Sequence, residues 1–303
     1  MIGDMQKWTP NVAGIIEHAR EIHPKTEIIS RLVSGEIHRS NYEKVCIRSR
    51  KLASALEKDG VKKGDVIATL ALNTYRHLEM YYGISGMGAI THTLNFRLHP
   101  EQAVYIINHA EDKIIFVELP FVPILEALQE NLKTVEKYVV LCEVDEMPET
   151  TLKNAVSYEE YIQDGDENYS WPTLEDDAAC ALCYTSGTTG NPKGVLYSHK
   201  SNVIHAQAAL TAMTIKPDDT ILMVVPLFHV LAWGIPYFGP MNGNKLVMPG
   251  MQMEGEPLYE LIDKEDVTLA FGVPTIWMGL LAYCRDNNKI LNSVKNTIIG
   301  GSA

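Results

Sequence analysis

Between residues 184 and 194 the sequence reads Tyr-Thr-Ser-Gly-Thr-Thr-Gly-Asn-Pro-Lys-Gly, a run of hydroxyl side chains and glycines that closes on a lysine and a glycine. Glycines let backbone N–H groups approach an anion closely, and the hydroxyls of Thr185, Ser186, Thr188 and Thr189 can donate hydrogen bonds to it. Lys193 adds a positive charge. That chemistry suits a phosphate. The run is not a Walker loop, because Gly187 is not followed at the required distance by Gly-Lys-Ser/Thr, nor is it a dinucleotide GxGxxG. Composition alone would make it a flexible surface loop, but its order, straight after a buried strand, favours a third kind of nucleotide site.

A phosphate loop needs a strand to feed it, and the flanking sequence supplies a repeated pattern. VIATLAL at 66–72, AITHTL at 89–94, KIIFVE at 113–118, YVVLC at 138–142 and ACALCY at 179–184 are short apolar runs. Segments with helical spacing separate them, one opening on Pro100. After the loop come a helix from about Lys200, TILMVV at 220–225, KLVM at 245–248, VTLAF at 267–271 and NTIIG at 296–300. Val12 to Ile22 and Tyr42 to Leu56 read as amphipathic helices, Asn73 as a helix cap, and Ser157 with Glu160 as a capping box. The pattern predicts an α/β fold of doubly wound, mainly parallel sheets with helices on both faces. An acidic, broken stretch from Glu143 to Asp177 places a boundary between a subdomain at 1–170 and a second at 171–303.

The 303 residues are 46% apolar and carry a net charge of −12, which argues against a protein that coats nucleic acid or an anionic membrane. Residues 222–241 hold no Asp, Glu, Lys or Arg, but Pro226, Pro236 and Pro240 would interrupt a spanning helix, so a strand, turn and short helix is expected. The first ten residues carry Asp4 and no apolar stretch, which argues against a secretory leader. Five cysteines in no regular framework suit reduced thiols in the cytoplasm. Cys180 and Cys183 have CxxC spacing, yet on a strand they point to opposite faces, and no second Cys/His pair accompanies them.

The string YTSGTTGNPKG resembles the signature loop of the adenylate-forming enzymes, the superfamily of acyl-CoA synthetases, luciferases and peptide-synthetase adenylation domains. The likeness covers nearly the whole chain through Asn95-Phe-Arg-Leu-His-Pro, Pro226-Leu-Phe-His-Val-Leu-Ala-Trp, Phe271-Gly-Val-Pro-Thr-Ile-Trp and Gly300-Gly-Ser-Ala, and is strongest to bacterial fatty-acyl-CoA synthetases. It implies an ATP-dependent acid–CoA ligase using Mg²⁺, with a fatty acid or other small carboxylate and CoA as co-substrates and a homodimer as assembly. The alternatives are a ligase for a short or aromatic acid such as methylthio-propionate, and a non-catalytic ATP-binding module.

The resemblance also assigns roles. Thr185 would contact Mg²⁺, with Ser186, Gly187, Thr188, Thr189, Gly190 and Lys193 around the β- and γ-phosphates. Lys193 and His229 would be catalytic, Val230 would lie beside the nucleotide, and Trp233 would gate an acyl pocket. His229 and Trp233, four apart, would share one face if their segment is helical. Gly301, Ser302 and Ala303 would run along the adenine and acyl chain. In the family, Tyr-Gly-x-Thr-Glu and Thr-Gly-Asp motifs and a mobile lid domain follow, so the chain is expected to be an N-terminal portion with little activity alone. The strand at Thr297 to Gly300 is expected to be poorly covered.

Overall fold

The computed structural model describes residues 3–5, 8–185 and 191–301. In chain order its regular elements are α1 (Val12–Ile22), β1 (Glu27–Arg31), β2 (Ile37–Asn41), α2 (Tyr42–Lys58), β3 (Val66–Leu70), α3 (Tyr75–Gly86) and β4 (Ile90–Thr93). There follow α4 (Pro100–Ala110), β5 (Ile114–Val117), α5 (Val122–Leu128), β6 (Lys137–Val140), β7 (Ala155–Ser157) and α6 (Tyr158–Gln163). The remainder is β8 (Ala179–Thr185), β9 (Lys193–Ser198), α7 (His199–Ala212), β10 (Thr220–Met223), α8 (Ile235–Asn242), β11 (Lys245–Met248), α9 (Gly255–Lys264), β12 (Leu269–Gly272), α10 (Pro274–Asp286) and β13 (Asn296–Ile299).

The strands form two sheets, ordered β7-β6-β5-β3-β4-β8-β9 and β13-β12-β10-β11-β1-β2, in which every pair is parallel except β8–β9 and β1–β2. This is the doubly wound, mainly parallel architecture that the apolar runs predict, since β3, β4, β5 and β10 are almost wholly buried and need helices on both faces. Helix starts follow local chemistry: Asn11 accepts the Gly14 N–H at 2.9 Å, Asn41 that of Lys44 at 2.9 Å, and Ser157 that of Glu160. Between the sheets lies α3, all of whose residues are buried and which touches α1, α2, β1, β3, β4 and β8.

Several expectations change. The sheets do not divide the chain at residue 170. β8 is an apolar strand that finds cover on both faces only beside β4, inside the first sheet, while the β1–β2 hairpin forms an edge of the second. β9, taken with the loop in the sequence, pairs antiparallel with β8. Asn73 does not cap α3, whose cap is Thr74; its amide bonds Met223 O, Val225 O and Leu227 N instead. Residues 222–241 do form a strand, a turn and a short helix, and no helix among the described residues is long and apolar enough to cross a membrane. β13 is an edge strand on which Ile299 is 55% exposed, as the sequence suggests.

Candidate functional site

The phosphate-type loop is held between β8 and β9, and pairing places Lys193 directly opposite Thr185 and Gly194 opposite Tyr184. Both Thr185 and Lys193 are exposed, and among the described residues Lys193 forms no ion pair. A hydroxyl and an uncompensated ammonium thus face each other across the mouth of a hairpin, a donor set that fits an anion. Ser186, Gly187, Thr188, Thr189 and Gly190 lie outside the described residues. Below the mouth, the Tyr184 ring sits 5.1 Å from that of His92, and its hydroxyl hydrogen-bonds His109 Nδ1 at 2.6 Å. His92 in turn pairs through Nδ1 with the buried Asp112 carboxylate at 2.8 Å.

After β10 the chain makes a turn with an unusual hand. His229 is extended, with φ −109° and ψ 109°, but Val230, Leu231, Ala232 and Trp233 have φ of 46°, 50°, 47° and 55°, and Gly234 has 84°. L-residues in this region cost roughly 1–2 kcal/mol each. The right-handed helical face expected to join His229 and Trp233 therefore does not form. On β8, the Cys183 sulfur lies 3.3 Å from the Thr93 hydroxyl. At Gly234 a Cβ would stand 2.6 Å from the His205 ring, so glycine is required both by its backbone angle and by this approach.

The hairpin and the turn enclose a cavity of about 270 Å³ lined by Thr185, His229 and Val230, together with Thr93, Asn95 and Tyr197 among others. Lys193, Trp233 and Gly301 are not among its lining residues. Trp233 lies instead on Gly300, where a Cβ would be 3.1 Å from the indole Cη2, and Gly301, at φ 86°, stands against Val273. Ser302 and Ala303 lie outside the described residues.

Sequence reasoning missed Thr93, Asn95 and Tyr197. Thr93 ends β4 as Thr185 ends the neighbouring β8, and ligands in open α/β sheets bind outside the carboxyl ends of strands, which was the available signal. Asn95 opens the Asn-Phe-Arg-Leu-His-Pro string already singled out. Tyr197 belongs to the unforeseen β9.

No group of three or more His, Cys, Asp or Glu among the described residues could hold a metal ion. A cation such as Mg²⁺ would fit here only as a companion of bound phosphates, with the Thr185 hydroxyl as protein ligand. All five cysteines are free and buried. Burial pushes the Cys180 thiol up to about 12 and raises that of Cys183, which disfavours the thiolate form of both.

Residues 16–303 match the family described as AMP-binding enzyme. The chain is 44% identical over its whole length to a medium-chain-fatty-acid–CoA ligase of Ectopseudomonas oleovorans, covering 56% of that protein. It is also 44% identical to a 3-methylmercaptopropionyl-CoA ligase of Ruegeria pomeroyi, covering 57%. Among solved structures, a long-chain-fatty-acid-CoA ligase from Archaeoglobus fulgidus superposes with a TM-score of 0.84 at 24% identity, over all of this chain and 60% of that one. The chain thus spans about half the length of the curated relatives it matches.

Proposed function

The chain belongs to the AMP-binding enzyme family, and from that membership we propose that it serves an ATP-dependent acid–CoA ligase. A carboxylate oxygen attacks the α-phosphorus of ATP, the bond to the bridging oxygen breaks, and pyrophosphate leaves. The CoA sulfur then attacks the acyl carbon, and AMP leaves with the carboxylate oxygen. Neither step needs a covalent bond to the protein, so this chain's contribution is to position two anions and neutralise charge on phosphorus.

The observation that carries the reading is the single cavity where Thr185, at the end of the loop strand, meets His229 and Val230 from a distant segment. Thr185, Lys193 and the loop residues 186–190 would hold the β- and γ-phosphates. Mg²⁺ bound there would supply further neutralisation of phosphate charge. His229 would stand beside the reacting carboxylate and Val230 beside the nucleotide. Trp233, seated on Gly300, would close the acyl side, along which Gly301 to Ala303 would run. A cytoplasmic homodimer is the assembly we propose.

The acid is a medium- or long-chain fatty acid, with a methylthio-substituted short acid as second reading, because relatives named for each are equally similar at 44% identity. Calorimetry with Mg·ATP and with acyl-sulfamoyl adenosines of graded chain length tests both. Tightening with chain length supports the fatty acid, a maximum at a short acid supports the second reading, and binding of ATP without any adenylate analogue leaves a nucleotide-binding module. Absence of Mg·ATP binding would overturn the proposal.

A further inference from the structure

A helix as deeply buried as α3 is expected to be apolar all round, yet its hydroxyls leave the helix for the backbone of other segments. Tyr81 Oη donates to Leu227 O and Tyr82 Oη to Pro236 O, both fully buried. Just ahead of the helix, Asn73 Nδ2 donates to Met223 O and Val225 O at 2.8 Å each, and its Oδ1 accepts the Leu227 N–H at 2.8 Å. These bonds bracket the left-handed turn on both sides, with Leu227 before it and Pro236 after it. From the same helix Ser85 Oγ donates at 2.7 Å to Cys180 O, on the strand that ends at Thr185.

Around the turn, backbone bonds run from His229 N to Pro226 O and from Ala232 N to His229 O, both 3.0 Å, and from Ile235 N to Ala232 O. Four consecutive L-residues at positive φ persist only where their surroundings over-determine them. The bonds from Asn73, Tyr81 and Tyr82 supply that constraint, and they reach it from a helix that also grips the loop strand.

We infer that Asn73, Tyr81 and Tyr82 are positioning residues that hold the His229–Trp233 turn at a fixed offset from the phosphate-loop strand, setting where the acid meets the nucleotide. The placement of acid against nucleotide rests on the ligase reading; the clamp itself does not. Removing one hydroxyl should let the turn relax, moving Trp233 off Gly300 and His229 out of the cavity, while Thr185 and Lys193 keep their places on the hairpin.

The test uses the chain labelled with 5-fluorotryptophan, whose four tryptophans give four fluorine resonances, that of Trp233 being assigned with Trp233→Phe. Tyr81→Phe is expected to displace or split the Trp233 resonance and leave those of Trp8, Trp171 and Trp277 in place. It should weaken an acyl-sulfamoyl adenosine about tenfold while Mg·ATP affinity is unchanged. Tyr82→Phe is the second variant should the first fail to fold. The control is Tyr158→Phe, which removes a buried hydroxyl bonded to Glu79 at 2.9 Å and should leave Trp233 undisturbed. A Trp233 resonance unmoved in both variants, equal displacement in the control, or equal weakening of both ligands would overturn the inference. If the unaltered chain binds neither ligand, the ligase reading fails, and the fluorine spectra still judge the clamp.

Discussion

Glu118 offers a test of the fold that does not depend on any ligand. It follows β5, is 4% exposed, and its Oε2 accepts the Leu72 N–H at 3.2 Å. Burial pushes its carboxyl up from the ordinary 4.5 to about 7, although the Leu72 amide and the Arg76 charge pull the other way. A raised value means that the fold accepts the neutral acid more readily than the anion. Its contribution is therefore complete below pH 4.5 and is lost as pH rises through about 7. At about 1.4 kcal/mol per pH unit, that interval is worth about 3 kcal/mol. Glu118→Gln keeps the size and an acceptor for Leu72 but cannot ionise. Urea unfolding should find the two proteins alike near about pH 4 and the variant more stable by about 3 kcal/mol near about pH 9. For a chain of this length that corresponds to a rise in melting temperature of roughly 5 °C. An offset independent of pH, or a wild type favoured at high pH, would refute the argument, because the carboxylate would then be stabilised by its partners.

At the opposite end of the pH scale, burial pushes His77 and His199 down to about 4, so each contributes fully above 6.5 and is lost as pH falls toward 4. His199 Nδ1 accepts the Val12 N–H at 3.2 Å, a bond that a protonated ring cannot make, so His199→Gln should flatten the acid limb of a urea stability profile by up to about 3 kcal/mol. A limb of unchanged slope would count against it. Lys193→Ala should weaken Mg·ATP by about tenfold or more in calorimetry, the scale of one charge-assisted contact, and equal affinity would remove Lys193 from the phosphate site. Gly250 has φ 60°, and a Cβ there would lie 2.3 Å from the Arg31 carbonyl oxygen. Gly250→Ala should therefore cost about 3 kcal/mol in thermal or urea unfolding, and a loss within measurement error would show that the β1 end can yield.

What the sequence made legible follows from how locally each feature is encoded. Ile114–Val117 and Thr220–Met223 are buried along their whole lengths, so each reads as an apolar run whatever surrounds it. Edge strands lack that signal. β2, Ile-His-Arg-Ser-Asn, buries only Ser40 fully, and β9, Lys-Gly-Val-Leu-Tyr-Ser, is mostly exposed, so both passed as connecting segments. The left-handed turn was hidden for a different reason. Val230, Leu231, Ala232 and Trp233 are residues that avoid positive φ when left alone, and bonds from Asn73, Tyr81 and Tyr82, far away in sequence, bracket them. Capping is a local use of asparagine, so the sequence alone suggests it for Asn73, whose actual partners are some 150 residues on.

The same distinction separates the parts of the candidate site. Thr185 and Lys193 could be named from one string because a hairpin joins them, and eight residues of sequence fix their chemistry. Thr93 could not, because it reaches the cavity only through the pairing of β4 with β8, which are neighbours in the sheet though far apart in the chain. His229 needs more still, since it arrives from the second sheet and its place depends on what holds that turn against β8. The half of the site proposed to hold phosphate rests on the ladder of backbone bonds between β8 and β9. The half that would choose the acid depends on a few buried hydroxyls and one amide, so substitutions along α3 should alter acid preference before they alter nucleotide binding.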